Sequence, residues 1–364
     1  MSTLKLGMIG VGHMAGQHMV NIRKNPRIEV VAICDRDPAV MARFDAPGAR
    51  AFPDTRSLLD SGLADAVMVC THHSDHLATG MAVLESGVHL LMEKPLALSK
   101  GDCEKLVAAH RDPRQVFAIM LNQRTDPRFR WAKELIDAGD FGSLMRVQWT
   151  ITDWFRTDYY FELTPWFAKW SDGGGLVMTQ ALHQLDILIW LCGKPTRVRS
   201  FAHLGKWHDV AVDDDVTAYM EFENGATGVF VTSTGETPGC NRLELSGDKG
   251  RIVIENDSAV FHRLPVPASV MRRTVRERTI IPEIATTFAE DTGRGGQHGE
   301  ILDNFVEAVL DGAPLIAHGS EGLLSVELAN AILMSSVREE TVALPMDSEL
   351  YARTLAEMIA AEAP

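Results

Sequence analysis

Gly10-Val11-Gly12-His13-Met14-Ala15 follows a short apolar run, Leu4–Ile9, and opens a stretch of helical periodicity. A G-x-G-x-x-A turn between strand and helix leaves few options for the fold. The first glycine permits a tight turn, the second lets backbone approach a pyrophosphate, and the small Ala15 lets the helix pack on the strand while its N–H groups face the anion. His13 and Met14, inside the turn, are placed beside the same ligand. Asp35, twenty-five residues after Gly10, ends a second apolar run, Ile28–Cys34. A carboxylate there accepts hydrogen bonds from ribose hydroxyls and repels a 2′-phosphate, which favours NAD. The adjacent Arg36 offers adenine a stacking partner or binds that phosphate, so NADP stays possible.

Further apolar runs at Ala66–Cys70, Val88–Met92 and Val116–Leu121 alternate with helical patterns, the rhythm of a parallel, doubly wound sheet buried on both faces. Beyond residue 123 the pattern changes. Met145, Val147, Trp149 and Ile151 alternate with polar residues, and Val216–Phe222 and Thr227–Thr234 flank Asn224-Gly225, a pair suited to tight antiparallel hairpins. Arg242–Leu245 and Arg251–Ile254 read as further strands. Glu300–Leu310 and Glu321–Val337 read as helices, with Ser320 as a cap for the second. The expected architecture is α/β: a Rossmann domain over 1–123, then an α+β domain over 124–364 with an open-faced, mostly antiparallel sheet. Residues 265–296 are the least readable and suggest a mobile loop.

With 49 acidic against 35 basic residues, the formal charge of -14 disfavours binding to nucleic acid or an anionic membrane. No apolar run reaches the roughly 18 residues of a membrane helix. The five scattered cysteines show no disulfide or zinc spacing, and no charged leader precedes Leu4. A cytoplasmic, uncleaved protein without nucleic-acid or membrane partners is expected.

Glu93-Lys94-Pro95 ends another apolar run, and Gly173-Gly174-Gly175 precedes His183 and Asp186. Together with the glycine turn, these motifs in this order resemble the Gfo/Idh/MocA oxidoreductases over nearly the whole chain. The resemblance implies a Rossmann domain, a C-terminal domain with an open-faced sheet, and assembly through that sheet into a homodimer or homotetramer. It implies that Lys94 reaches both nicotinamide ribose and substrate, with Pro95 in a cis bond. It also places Thr71, His72, His76, Glu93 and Asn122 near the cofactor and Gln123 near the substrate.

Oxidising an alcohol requires a base for the hydroxyl proton and a donor that steadies the oxygen, beside a nicotinamide that takes the hydride. Lys94 is a cationic donor, and His183 is of a type that exchanges protons near neutral pH. Relatives commonly carry an acid four residues before this histidine, on the same helical face, whereas this chain has Thr179. His183 then works with another acid, Asp186 or Asp153, or Lys94 takes more of the proton chemistry. His72 and His76 share i, i+4 spacing, but no carboxylate or cysteine of metal spacing joins them, so no metal is expected.

Nine of the chain's 25 Phe, Trp and Tyr residues fall between Trp149 and Trp170. Rings interleaved with polar groups suit a sugar, whose C–H faces stack on aromatics while its hydroxyls are hydrogen-bonded. The expected substrate contacts are Asp153, Trp154, Tyr159, Trp166, Gln180 and His183, with Gln123. The reading is an NAD-linked dehydrogenase of a sugar, inositol or glycoside. A glycoside hydrolase that oxidises its sugar only transiently, and a non-catalytic cofactor sensor, are the alternatives.

Overall fold

The computed structural model describes residues 2–362. They form two compact units. The first runs to Arg124 and includes Ser171–Gly173 and Gly296–Glu327; the second comprises Thr125–Trp170, Gly174–Gly295 and the chain from Leu328. Residues 296–327 thus depart from a single division at 123/124. The helix Gln297–Asp311 buries Ile301, Leu302, Phe305 and Val306 in one core with Leu4, Leu6, Met8, Ala15 and Met19. Each of these side chains larger than alanine contributes about 1.5–3 kcal/mol by leaving water. Periodicity reveals the apolar face but not which sheet covers it.

In the first unit, strands β1 (Leu4–Ile9), β2 (Ile28–Cys34), β3 (Arg50–Phe52), β4 (Ala66–Val69), β5 (His89–Met92) and β6 (Phe117–Ile119) form one parallel sheet in the order β3-β2-β1-β4-β5-β6. Every residue of β4 is buried, as a strand covered on both faces requires. Strand order reverses between β1 and β4, and the glycine turn leaves β1 at its C-terminal end, where doubly wound sheets bind ligands. β3 has no sequence signature because only Phe52 of its three residues is buried.

The second unit is built on a nine-stranded sheet: β7 (Leu144–Ile151), β8 (Arg197–Leu204), β9 (Asp213–Glu221), β10 (Thr227–Ser233), β11 (Asn241–Gly247), β12 (Gly250–Glu255), β13 (Ser258–Arg263), β14 (Ala285–Phe288) and β15 (Val342–Ala343). Its order is β14-β13-β12-β11-β7-β10-β9-β8-β15, and only β7 and β10 pair in parallel. Gly225, at φ +83°, turns β9 into β10 as the Asn-Gly pair anticipates. Trp149, Phe230, Leu243, Leu245, Ile252 and Phe261 are buried, whereas Phe201 and Tyr219 stay 59% and 43% exposed on the outer face.

Two local readings need correction. Residues 265–296 hold a helix, Ala268–Thr274, and the edge strand β14, whose four residues are all exposed and so lack an alternating pattern. Ser320 does not cap the following helix. The His318 side chain accepts from Ser320 N, and Glu321 completes a capping box. Among the described residues, no single helix is long and apolar enough to cross a membrane.

Candidate functional site

The glycine turn has the form a dinucleotide requires. Gly10 adopts φ +79°, and a Cβ there would lie 2.7 Å from the backbone of Cys70 and Thr71. A Cβ at Gly12 would meet nothing within 4 Å, so the space above it is open. Gly12 caps the helix His13–Ile22 without a side-chain hydrogen bond, leaving first-turn N–H groups for an anion. Asp35 closes the turn: its Oδ2 accepts from Val11 N at 2.9 Å and its Oδ1 from Asp37 N at 3.0 Å. Each oxygen keeps a lone pair for a ribose hydroxyl. Thr71 Oγ1 is buried without a hydrogen-bond partner, an orphan beside the turn. These features fit NAD. His13 and Met14 are exposed, and Arg36 lies 3.7 Å from Asp75 on the surface, a pair worth little by itself.

Glu93, Lys94 and Pro95 leave the end of β5, with a cis bond between Lys94 and Pro95. Glu93 is buried; its Oε1 lies 2.6 Å from His18 Nε2 and its Oε2 accepts from Lys94 N at 3.0 Å. The His298 ring meets His18 edge-on at 5.5 Å. Burial acts to raise the Glu93 pKa, but the His18 hydrogen bond and the charges of His18, Lys94 and His298 outweigh it and bring the carboxyl to about 2. Burial pulls the Lys94 pKa below its ordinary value, against the opposing charge of Glu93. A depressed carboxyl pKa stabilises the fold above the ordinary 4.5, and that contribution is lost as pH falls toward 2. Urea unfolding of wild type and Glu93→Gln should therefore differ most above pH 5 and converge only as pH falls from 4.5 toward 2. A difference independent of pH would show that Glu93 acts through packing alone.

His76 is fully buried, with Nδ1 2.6 Å from Pro95 O and Nε2 3.3 Å from Thr71 O. It ties the segment after β4 to the Glu-Lys-Pro turn rather than presenting a nitrogen to a ligand. His72 is partly exposed, and His73 Nδ1 faces Gly173 O at 3.2 Å. Asn122 Nδ2 donates to Gln297 Oε1 at 2.7 Å, and Gln123 beside it is partly exposed. Among the described residues, no three His, Cys, Asp or Glu side chains converge on a metal position.

The second unit contains a small, partly open recess. Tyr160, Phe161 and Phe167 line it, together with Thr179, Gln180, Asp213 and Thr234. The rings of Tyr160 and Phe167 stack at 5.4 Å, and Phe161 packs on His208 at 4.9 Å. Asp213 Oδ2 accepts from Val177 N at 2.8 Å, while Oδ1 is buried without a partner. Burial pushes this carboxyl up to about 7, against the backbone hydrogen bonds it receives. Gly175, at φ +91°, leaves room for it: a Cβ would lie 2.0 Å from Oδ1.

Thr179 and His183 do not share one helix. The helix Leu176–Thr179 ends, and Leu182–Cys192 begins with His183 in its first turn. Gln180 N and Ala181 N both reach Leu176 O at 3.0 Å, which widens the turn. Thr179 Oγ1 donates to Gly175 O at 2.5 Å. Asp186, one turn beyond His183, is buried.

Residues 4–120 match an oxidoreductase family with an NAD-binding Rossmann fold, and residues 129–253 match the GFO/IDH/MocA C-terminal domain. The chain belongs to the GFO/IDH/MocA oxidoreductases. A relative, 1-carboxy-3-chloro-3,4-dihydroxycyclohexa-1,5-diene dehydrogenase of Comamonas testosteroni, is 30% identical over 61% of this chain and 56% of its own length. Myo-inositol 2-dehydrogenase of Thermotoga maritima is 23% identical over 94% of this chain and 98% of its own. The WlbA dehydrogenase of Bordetella pertussis, solved in complex with NADH and UDP-GlcNAcA, aligns with a TM-score of 0.79 at 25% identity, covering 95% of this chain and 100% of that one.

Like its family, this GFO/IDH/MocA chain thus carries an NAD-binding Rossmann domain and a separate mixed-sheet domain. Of the residues singled out for substrate, only Gln180 lines the recess, joined by Thr179. Tyr159 is 62% exposed, and its neighbour Tyr160 takes the inward place. Asp153 is exposed and accepts from Asn241 Nδ2 at 3.3 Å, and Trp166 packs against Phe167 at 3.6 Å. Trp154 is partly buried outside that lining. The sequence reading missed His18, Gln297, His298 and Asp213. Each comes to its place by tertiary packing, without a local signal of chemistry.

Proposed function

We propose that the chain oxidises a ring carbinol of a sugar or polyol, a secondary alcohol and NAD⁺ giving the ketone, NADH and a proton. The observation that carries this reading is the glycine turn closed by the Asp35 carboxylate, accompanied in the same chain by a recess of aromatic rings, amide and hydroxyl. The relatives support it: their names specify an inositol and a dihydroxy ring as substrates, and levoglucosan dehydrogenase also appears among them. When bound, nicotinamide takes the hydride. Gly10, Gly12 and the first helical N–H groups hold the pyrophosphate, and Asp35 holds the adenosine ribose. Thr71, His72, Glu93 and Asn122 border the cofactor, with His76 supporting them from below. Lys94 steadies the substrate oxygen and His183 takes its proton. Thr179, Gln180 and Gln123 contact the substrate.

A panel of inositols, aldoses and glycosides, read together for NADH and for released aglycone, tests the reaction. NADH with one member and no aglycone is expected; aglycone without net NADH would replace this reading with a hydrolase. Asp35→Ser should narrow the preference for NAD over NADP by removing both ribose hydrogen bonds and phosphate repulsion. An unchanged ratio of catalytic efficiencies for the two cofactors would remove Asp35 from that role.

The chain works, in this proposal, as a homodimer or homotetramer in the cytoplasm, without nucleic-acid or membrane partners. Five unpaired thiols suit a reducing compartment, and the exposed Phe201 and Tyr219 suit assembly through the outer sheet face.

A further inference from the structure

Arg156 lies in the segment after β7, with its backbone fixed: its N–H donates to Thr234 O at 2.9 Å, and its carbonyl accepts from His208 Nε2 at 3.1 Å. Its guanidinium lies over the Tyr160 ring, 4.6 Å from the centroid. With the Gln180 amide turned so that its oxygen faces the guanidinium, Arg156 Nε and Nη2 donate to it at 2.8 and 3.2 Å. Tyr160 and Gln180 both line the recess.

Every partner of this cation is neutral. Among the described residues, no carboxylate lies within ion-pair distance of Arg156, whereas the buried Arg124 and Arg128 pair with Glu321 at 2.8 Å and Asp126 at 2.6 Å. A partly buried guanidinium held by a ring face and an amide keeps several of its five donors. Such an arrangement costs solvation unless an anion completes it. Asp213 does not fill that role, since its Oδ2 already accepts from Val177 N and burial leaves much of its carboxyl protonated near neutral pH.

We propose that Arg156 determines specificity for an anionic substrate, and that the substrate is a hydroxylated ring bearing a carboxylate, a sugar acid. One guanidinium balances one negative charge, and its planar fork matches a carboxylate. A phosphate dianion would call for a second cation beside Arg156, and the residues lining the recess include none. This proposal rests on the dehydrogenase reading for its substrate class, but the two fail separately.

The test uses glucuronate, galacturonate and mannuronate against glucose, galactose and mannose, with glucose 6-phosphate as the phosphate arm. Binding to the NAD-loaded protein is measured by calorimetry and NADH formation by absorbance, for wild type, Arg156→Gln and Arg156→Lys. At least one acid should bind wild type about tenfold or more tighter than its neutral parent. Arg156→Gln should weaken that acid roughly 10- to 100-fold more than the parent, the range of a charged hydrogen bond, and Arg156→Lys should restore part of the difference. Unaltered NAD affinity in the variants excludes misfolding as the cause. Equal binding of acids and parents, no acid binding, equal loss of both in Arg156→Gln, or a preference for the 6-phosphate would each overturn the proposal. Acid binding without NADH would sustain it while sinking the dehydrogenase reading, and NADH from neutral sugars alone would do the reverse.

Discussion

Replacing Lys94 with alanine is expected to lower turnover by about two to four orders of magnitude, the range for lost acid–base or charge stabilisation. The ammonium follows Glu93, whose carboxylate holds Lys94 N at 3.0 Å and is itself held by His18, so the lysine starts from a fixed backbone. Desolvation lowers its pKa while the Glu93 charge resists, and burial strips the ammonium of the full hydration of a surface lysine. In the proposed reaction, that side chain stabilises negative charge developing on the substrate oxygen. NAD affinity should change far less, because the pyrophosphate and adenosine ribose contacts proposed above lie at Gly10, Gly12 and Asp35. Steady-state NADH formation and NAD titration by fluorescence separate the two effects. Near-normal turnover would end the catalytic assignment of Lys94, and an equally large loss of NAD affinity would recast it as a cofactor-binding residue.

The legible part of this fold is the part that local pattern controls. β1, β2 and β4 read as apolar runs because helices cover both faces, and Asn224-Gly225 reads as a hairpin because few other pairs tolerate its backbone angles. The glycine turn and the Asp35 that closes it were equally legible, since their spacing sets that local geometry. Arg50–Phe52 and Ala285–Phe288 form sheet edges whose exposed residues carry no alternation, so they left no trace. The same limit governed the site. Asp213 sits at the start of β9 among three consecutive aspartates, and only the packing of Gly175 against it distinguishes it from its neighbours. Tyr159 and Tyr160 are interchangeable in composition, and the phase of a six-residue helix decided which faces inward. His298 reaches His18 because the helix Gln297–Asp311, remote in sequence, packs on the helix His13–Ile22.

His183→Ala should remove the ascending limb of the profile of kcat/KM against pH and lower the rate at neutrality by about 10²–10⁴-fold, as loss of a general base does. Thr179 supplies the companion test. Read as one continuous helix, position 179 would stack directly below His183, and an aspartate there would act at contact distance. The widened turn at Gln180 and Ala181 instead starts a new helix, and Thr179 is back-bonded to Gly175 O while lining the recess with Asp213. Thr179→Asp therefore adds a negative charge that favours the imidazolium through space, moving the ascending limb upward by about one pH unit at the effective dielectric of a protein site. The same charge lies near the Asp213 carboxyl, so it should also raise the KM of an anionic substrate. Thr179→Asn, of similar size but neutral, should leave the limb in place. If Lys94 carried the proton instead, His183→Ala would lower the rate without changing the shape of the profile. Profiles unchanged in shape and position in both His183→Ala and Thr179→Asp would rule out His183 as the base.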